Sequence, residues 1–154
     1  VDVKDNLALK SVEPPPMIVY ARGAVNHSLV EISRLGYDVV GIDHTVEPAW
    51  ARQCLAQAQS SNRKFSEVEV NKGAQHRIAI QGNLDPAILY ARPEVIQDRV
   101  RRMFQTTTGG FGGQGALICN LGQGITPGVD PDHLRVFLEA VHRVSKEMAD
   151  NNDD

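Results

Sequence analysis

The polar residues that could do chemistry in this chain stand directly behind short apolar runs. Arg22 follows residues 17–21 (MIVYA), and Asp43-His44 closes residues 39–43 (VVGID). Gly82-Asn83-Leu84-Asp85-Pro86 follows residues 77–81 (RIAIQ). Gln123 sits between Gly122 and Gly124 after residues 116–120 (ALICN). A guanidinium such as Arg22 can grip a carboxylate with two parallel hydrogen bonds, or form an ordinary rim ion pair. Asn83 could line a ligand site or serve the backbone, while Asp85 suits the cap of the helix that Pro86 opens. Two glycines let the backbone turn sharply around Gln123 and present one amide; a plain structural turn reads the same way. The histidines at 27, 44, 76, 133 and 142 share no metal-ligand spacing. No Ser/His/Asp or Cys/His arrangement is legible, and no pair of carboxylates can be assigned to one pocket. The string at residues 110–115 (GFGGQG) fits G-x-G-x-x-G letter by letter. A dinucleotide fingerprint must follow a strand and open a helix, whereas these glycines precede one, so they read as a flexible connection.

The elements that must hold these residues follow from periodicity. The four apolar runs predict strands, and near-continuous apolar character suits strands covered on both faces, as in a parallel sheet. A helical pattern follows each. Leu29, Val30, Ile32 and Leu35 share a face, and Gly36 ends that helix. Pro48 opens a second, with Trp50, Cys54, Leu55 and Ala58 towards the sheet. Asp85-Pro86 starts a third, and Pro93 a fourth carrying Val95, Ile96, Val100, Met103 and Phe104. Asp130-Pro131 starts the last, with Leu134, Phe137, Leu138, Val141 and Val144 as its apolar stripe. The order β-α-β-α-β-α-α-β-α implies right-handed crossovers and an α/β fold. Four such units make half of an eight-stranded barrel, though alternation alone also fits an open sheet. Residues 1–15 read as a lead-in stiffened by Pro14-Pro15-Pro16, and residues 16–149 as the folded unit. Residues 57–75 read as an inserted surface loop, with 68–70 a candidate extension, and residues 150–154 as an acidic tail.

Composition agrees. The chain has 154 residues, 42% of them apolar and 23% charged, so one ordinary core is within reach. Aromatics at 5% make that core aliphatic. A net charge of -3 gives no global reason to bind nucleic acid or an acidic membrane. Cys54 and Cys119 match no zinc or redox spacing and read as buried free thiols in a reducing compartment. No run approaches a membrane span and no apolar signal core opens the chain, so a cytoplasmic location is expected. An opening Val1 rather than Met reads as the interior of a longer sequence.

Four segments together carry a family resemblance. Residues 16–22 (PMIVYAR), 35–46 (LGYDVVGIDHTV), 80–86 (IQGNLDP) and 120–127 (NLGQGITP), the last followed by DPDH, resemble the closing half of uroporphyrinogen decarboxylases, in the family's order. The likeness runs from residue 16 to about residue 146. It implies a single β/α barrel roughly twice as long as this chain, acting as a homodimer. It also implies conversion of uroporphyrinogen to coproporphyrinogen by loss of four acetate carboxyls, with no metal or organic cofactor. The family's central aspartate, its carboxylate-binding arginines and a tyrosine lie on its N-terminal side and have no counterpart here. Its serine falls near the lead-in, where Ser11 carries no motif. The family histidine in the glycine-flanked turn corresponds to Gln123, which can donate to a carboxylate but cannot carry a proton at neutral pH. His44 stands where the family usually shows Trp, and residues 57–75 are longer than usual. Gln123, with Arg22 and Asn83, is therefore the expected substrate-binding set, and no catalytic residue is assigned.

Half a barrel leaves two strand edges unpaired and an inner face open, which invites association. The expected partner is a second copy or the missing N-terminal half. Three readings stand side by side: an enzyme segment inactive alone, a non-catalytic partner subunit that pairs with itself or a full-length enzyme, and a corrinoid-linked methyltransferase. The last shares the fold but needs His and Cys zinc ligands that are not spaced for it here.

Overall fold

The computed structural model describes residues 15–24, 27–61, 78–105 and 116–150. The expectations for residues 1–14, for the glycine-rich string at 110–115, for most of the 57–75 insertion and for the end of the acidic tail fall outside them. So do Ser11, His76 and the side chain of Ala58.

Four strands form one sheet in the order β1 (Ile18–Tyr20), β2 (Val39–Gly41), β3 (Ala79–Leu84), β4 (Leu117–Leu121). All neighbours run parallel, with Tyr20 beside Gly41, Gly41 beside Gln81 and Gln81 beside Ile118. Helix α1 (His27–Ser33) follows β1, and α2 (Pro48–Ser61) follows β2. A 3₁₀ helix (Pro86–Tyr90) and α3 (Pro93–Phe104) follow β3, and α4 (Pro131–Asp150) follows β4. The expected α/β class is observed. A parallel sheet whose spatial order equals its chain order is the wall of a β/α barrel built unit by unit.

Local chemistry starts and stops these elements. The Asp85 side chain accepts from the Ala87 N–H at 2.9 Å, and Pro86 follows it, so the 3₁₀ turn is capped as the sequence implies. Asp130 does the same for the Asp132 N–H at 2.9 Å ahead of α4. Helix α3 opens on Pro93 with Glu94 in its first turn and ends with Arg101 and Arg102, complementing its dipole at both ends. Gly36, at φ +82°, takes the left-handed turn after α1.

Two boundaries differ from expectation. β3 continues three residues past Gln81, so Asn83 lies inside the strand rather than beyond it. Helix α2 continues to Ser61, into the polar stretch read as loop. On α2 it is Ala51 and Leu55 that are buried, with Trp50 only partly so.

Parallel pairing puts register partners on one face, and this separates the two faces of the sheet. Val40, Ile42, Ile80 and Leu84 pack against Leu29, Leu55, Ile96, Val100, Phe137 and Val144 from the helices. Val46, Ala51, Ile78, Leu89, Met103 and Ala140 complete the core. The opposite face carries Ile18, Tyr20 and Ile118, which are 48%, 46% and 40% exposed. Among the described residues no helix covers this second face, although Val39 on it is buried. Both cysteines are free and partly buried; burial pushes the Cys119 thiol up to about 12. Among the described residues no helix is long and apolar enough to cross a membrane.

Candidate functional site

The C-terminal ends of the strands are joined by a ring of hydrogen bonds. Asp43, just past β2, is 6% exposed. Its Oδ2 accepts from the Gly23 N–H after β1 at 2.7 Å. Its Oδ1 accepts from the Thr45 N–H at 2.8 Å and the Thr45 hydroxyl at 2.5 Å. Burial pushes the Asp43 carboxyl up, but the bonds from Thr45 and Gly23, with His44 beside it, outweigh burial and hold it below the usual aspartate range.

Asn83 makes the next link. Its amide nitrogen donates to the Asp43 carbonyl at 2.8 Å and to the Val46 carbonyl at 2.7 Å. Both amide hydrogens are thus committed to the β2–α2 loop. The Leu84 carbonyl then accepts from the Gly122 N–H at 2.8 Å, joining β3 to the turn after β4. The ring closes where the Tyr20 hydroxyl donates to the Gly122 carbonyl at 2.9 Å. In a flat sheet β1 and β4 would stand about 14 Å apart, three spacings of roughly 4.8 Å, far beyond the reach of a tyrosine. The rim must curl for this bond to form, as a barrel wall does.

Gly122 is the tightest point of that curl. A Cβ added there would lie 2.3 Å from the His44 backbone nitrogen. Only a residue without a side chain lets the turn after β4 pass the loop after β2.

The three residues expected to bind substrate are thereby placed. Arg22 is exposed in the turn after β1, one residue before Gly23. Gln123 is half-buried and follows Gly122 directly. Asn83 is buried and lines a groove of about 470 Å³ with His44, Asp85, Arg99 and Arg102. Neither Arg22 nor Gln123 lines that groove, which lies on the side of α3. Within it the His44 Nδ1 is buried with no hydrogen-bond partner among the described residues, and Arg102 pairs with Asp98 at 2.8 Å. His133 bonds through Nδ1 to the Leu89 carbonyl at 2.7 Å and so ties α4 to the 3₁₀ turn.

Comparison with known proteins decides the lineage. The family model described as uroporphyrinogen decarboxylase (URO-D) matches residues 6–144. The chain belongs to the uroporphyrinogen decarboxylase family. It is 40% identical over 142 residues to the uroporphyrinogen decarboxylase of Schizosaccharomyces pombe, covering 92% of this chain and 33% of that protein. It is 34% identical over 149 residues to the human uroporphyrinogen decarboxylase, covering 97% of this chain and 34% of that one. A bacterial relative from Vesicomyosocius okutanii is 39% identical over 132 residues, 86% of this chain and 31% of its own. The chain therefore spans about a third of the length of the curated relatives it matches, a smaller share than the half that resemblance implied. The resemblance read from four short segments is borne out across nearly the whole sequence.

Sequence reasoning missed the ring itself. It marked Asp43-His44 as a strand end, but a bond from Asn83 to a carbonyl forty residues earlier leaves no local pattern. Tyr20 read as a strand residue only.

Proposed function

We propose that this chain is the C-terminal, rim-forming part of a uroporphyrinogen decarboxylase, acting on a tetrapyrrole and incomplete alone. The reaction exchanges each acetate carboxyl for a proton. The carbon–carbon bond breaks as CO2 leaves, its electron pair needs a protonated pyrrole as a sink, and a proton then returns to carbon. The observation that carries the reading of incompleteness is the state of Asp43. It is the one buried acid among the described residues, its carboxylate accepts three hydrogen bonds, and its pKa is lowered. Such a group neither donates a proton near neutral pH nor turns to a pyrrole N–H. Gln123 carries no proton either.

In this reading Gln123 and Arg22 hold substrate carboxylates, while Asn83 supports the rim rather than touching substrate. The acid chemistry comes from the rest of the barrel, and no metal or organic cofactor is required. The complete assembly is a cytoplasmic homodimer. A second reading, a non-catalytic subunit that pairs with itself or a full-length enzyme, is favoured by the amide of Gln123 where the family resemblance implies an ionisable histidine. The two are separated by mixing the chain with the N-terminal part of a relative and assaying coproporphyrinogen. Turnover only in the mixture supports the first reading. A mixture that assembles without turnover supports the second, and turnover by this chain alone overturns the claim of incompleteness.

A further inference from the structure

We propose that Tyr20 is the positioning residue that fixes the turn bearing Gln123 for contact with a ligand carboxylate; this rests on the tetrapyrrole reading above. The Gly122 carbonyl and the Gln123 N–H belong to one peptide plane. The Tyr20 hydroxyl donates to that carbonyl at 2.9 Å across 102 positions of sequence. The peptide plane before it is held from the other side, where the Gly122 N–H donates to the Leu84 carbonyl at 2.8 Å. Among the described residues the next hold on the turn comes three residues on, where the Tyr90 hydroxyl bonds the Thr126 Oγ1 and the Pro127 carbonyl, each at 2.9 Å; between them a Cβ added at Gly124 would meet no atom within 4 Å. Gln123 itself makes no hydrogen bond among the described residues. The hold nearest the Gln123 amide plane is therefore the phenol of Tyr20.

The inner face is arranged to let Tyr20 reach that far. A Cβ at Gly41, its register partner on β2, would lie 3.0 Å from the Tyr20 Cδ2 and 3.1 Å from its Cβ. Gly41 thus leaves the ring room to lie across β2 towards the far end of the sheet. Tyr20 remains 46% exposed and lies outside the buried core, and its hydroxyl ties it to the turn. The chemistry served is recognition of an anionic oxygen by a side-chain amide, which depends on direction as well as distance. A turn free to rotate would present that amide in many orientations and lose affinity to the cost of ordering it.

The test is a double-mutant cycle on the chain with uroporphyrin, the stable oxidised macrocycle, as fluorescent probe, joined to amide exchange by NMR. Tyr20→Phe keeps the ring and removes only the donor. It is expected to weaken uroporphyrin binding about three- to tenfold, the range of one net hydrogen bond. In a Gln123→Ala background the same change should cost less than about twofold, since there is no amide left to aim. Equal losses in both backgrounds overturn the proposal, because a purely structural tyrosine would act regardless of Gln123. If the wild-type chain binds no uroporphyrin, the ligand reading fails and exchange decides the positioning separately. Tyr20→Phe should then speed exchange of the Gly122 amide about three- to tenfold while the Ile80 amide is unchanged. An unchanged Gly122 amide sinks the proposal whatever binds.

Discussion

Asn83 shows how a side chain at a strand end can belong to the fold although its type suggests a ligand. Its amide donates to two carbonyls of the β2–α2 loop, that of Val46 and that of Asp43, which also accepts from the Val46 N–H at 3.2 Å. Asn83→Ala is expected to destabilise the chain by about 2 kcal/mol or more, read from urea unfolding at neutral pH. Asn83→Asp should be worse, because a carboxylate would face both carbonyls. Asp43 supplies a pH dependence. Its folded pKa lies below the unfolded value, so its stabilisation is complete above the ordinary aspartate value of about 3.9 and is lost as pH falls through the folded pKa. Urea midpoints measured at pH 6 and pH 3 should fall with acid, and Asp43→Asn should remove part of that slope while lowering the midpoint at pH 6. These roles were only half legible. Residue types and strand-end positions could be read directly. Thr45, two positions from Asp43, is a local partner, but the partners of Asn83 and the Gly23 partner of Asp43 lie 20 to 40 positions away along the chain, and no local pattern encodes them.

At the scale of elements, the apolar runs located every strand and the proline signals located the 3₁₀ turn and three helix starts. The misses share one cause. Gly82 and Asn83 look like the end of a strand because glycine and a polar amide usually stop one, yet here pairing with β4 continues through Leu84. The polar run from Gln57 looks like a loop because it has no apolar stripe, yet helix continues to Ser61. The Gln and Ala residues there have good helical propensity, which extends a helix without an apolar stripe to mark it. Gly122 is where element packing is most exacting. Gly122→Ala places a methyl group against the His44 backbone, which cannot rotate away. The expected cost is about 1–3 kcal/mol, from forced separation of the turn after β4 from the loop after β2. Thermal unfolding measures it, and a variant as stable as wild type would mean that the two loops are not in contact.

For the whole molecule, the two faces of the sheet predict behaviour in solution. One face is closed by helices; the other shows Ile18, Tyr20 and Ile118 between two strand edges that are unpaired among the described residues. The isolated chain is expected to associate as its concentration rises, followed by sedimentation velocity. Ile118→Lys should shift that equilibrium towards monomer without unfolding the chain, because residue 118 is 40% exposed and outside the core. A chain that stays monomeric at every concentration would contradict an exposed apolar second face.

Parallel strands also have an electrostatic consequence. Since every strand runs the same way, the helices that return from them all begin at one end of the molecule. The amino-terminal poles of α2, α3 and α4, each carrying about half a positive charge, gather around the rim. Glu94 and Asp132 partly neutralise the poles of α3 and α4 from their first turns, and α2 has no acid in its first turn. Under the proposed tetrapyrrole reading, uroporphyrin affinity should drop when sodium chloride is raised from about 0.05 to about 0.5 M, because ions screen a field built from exposed dipoles.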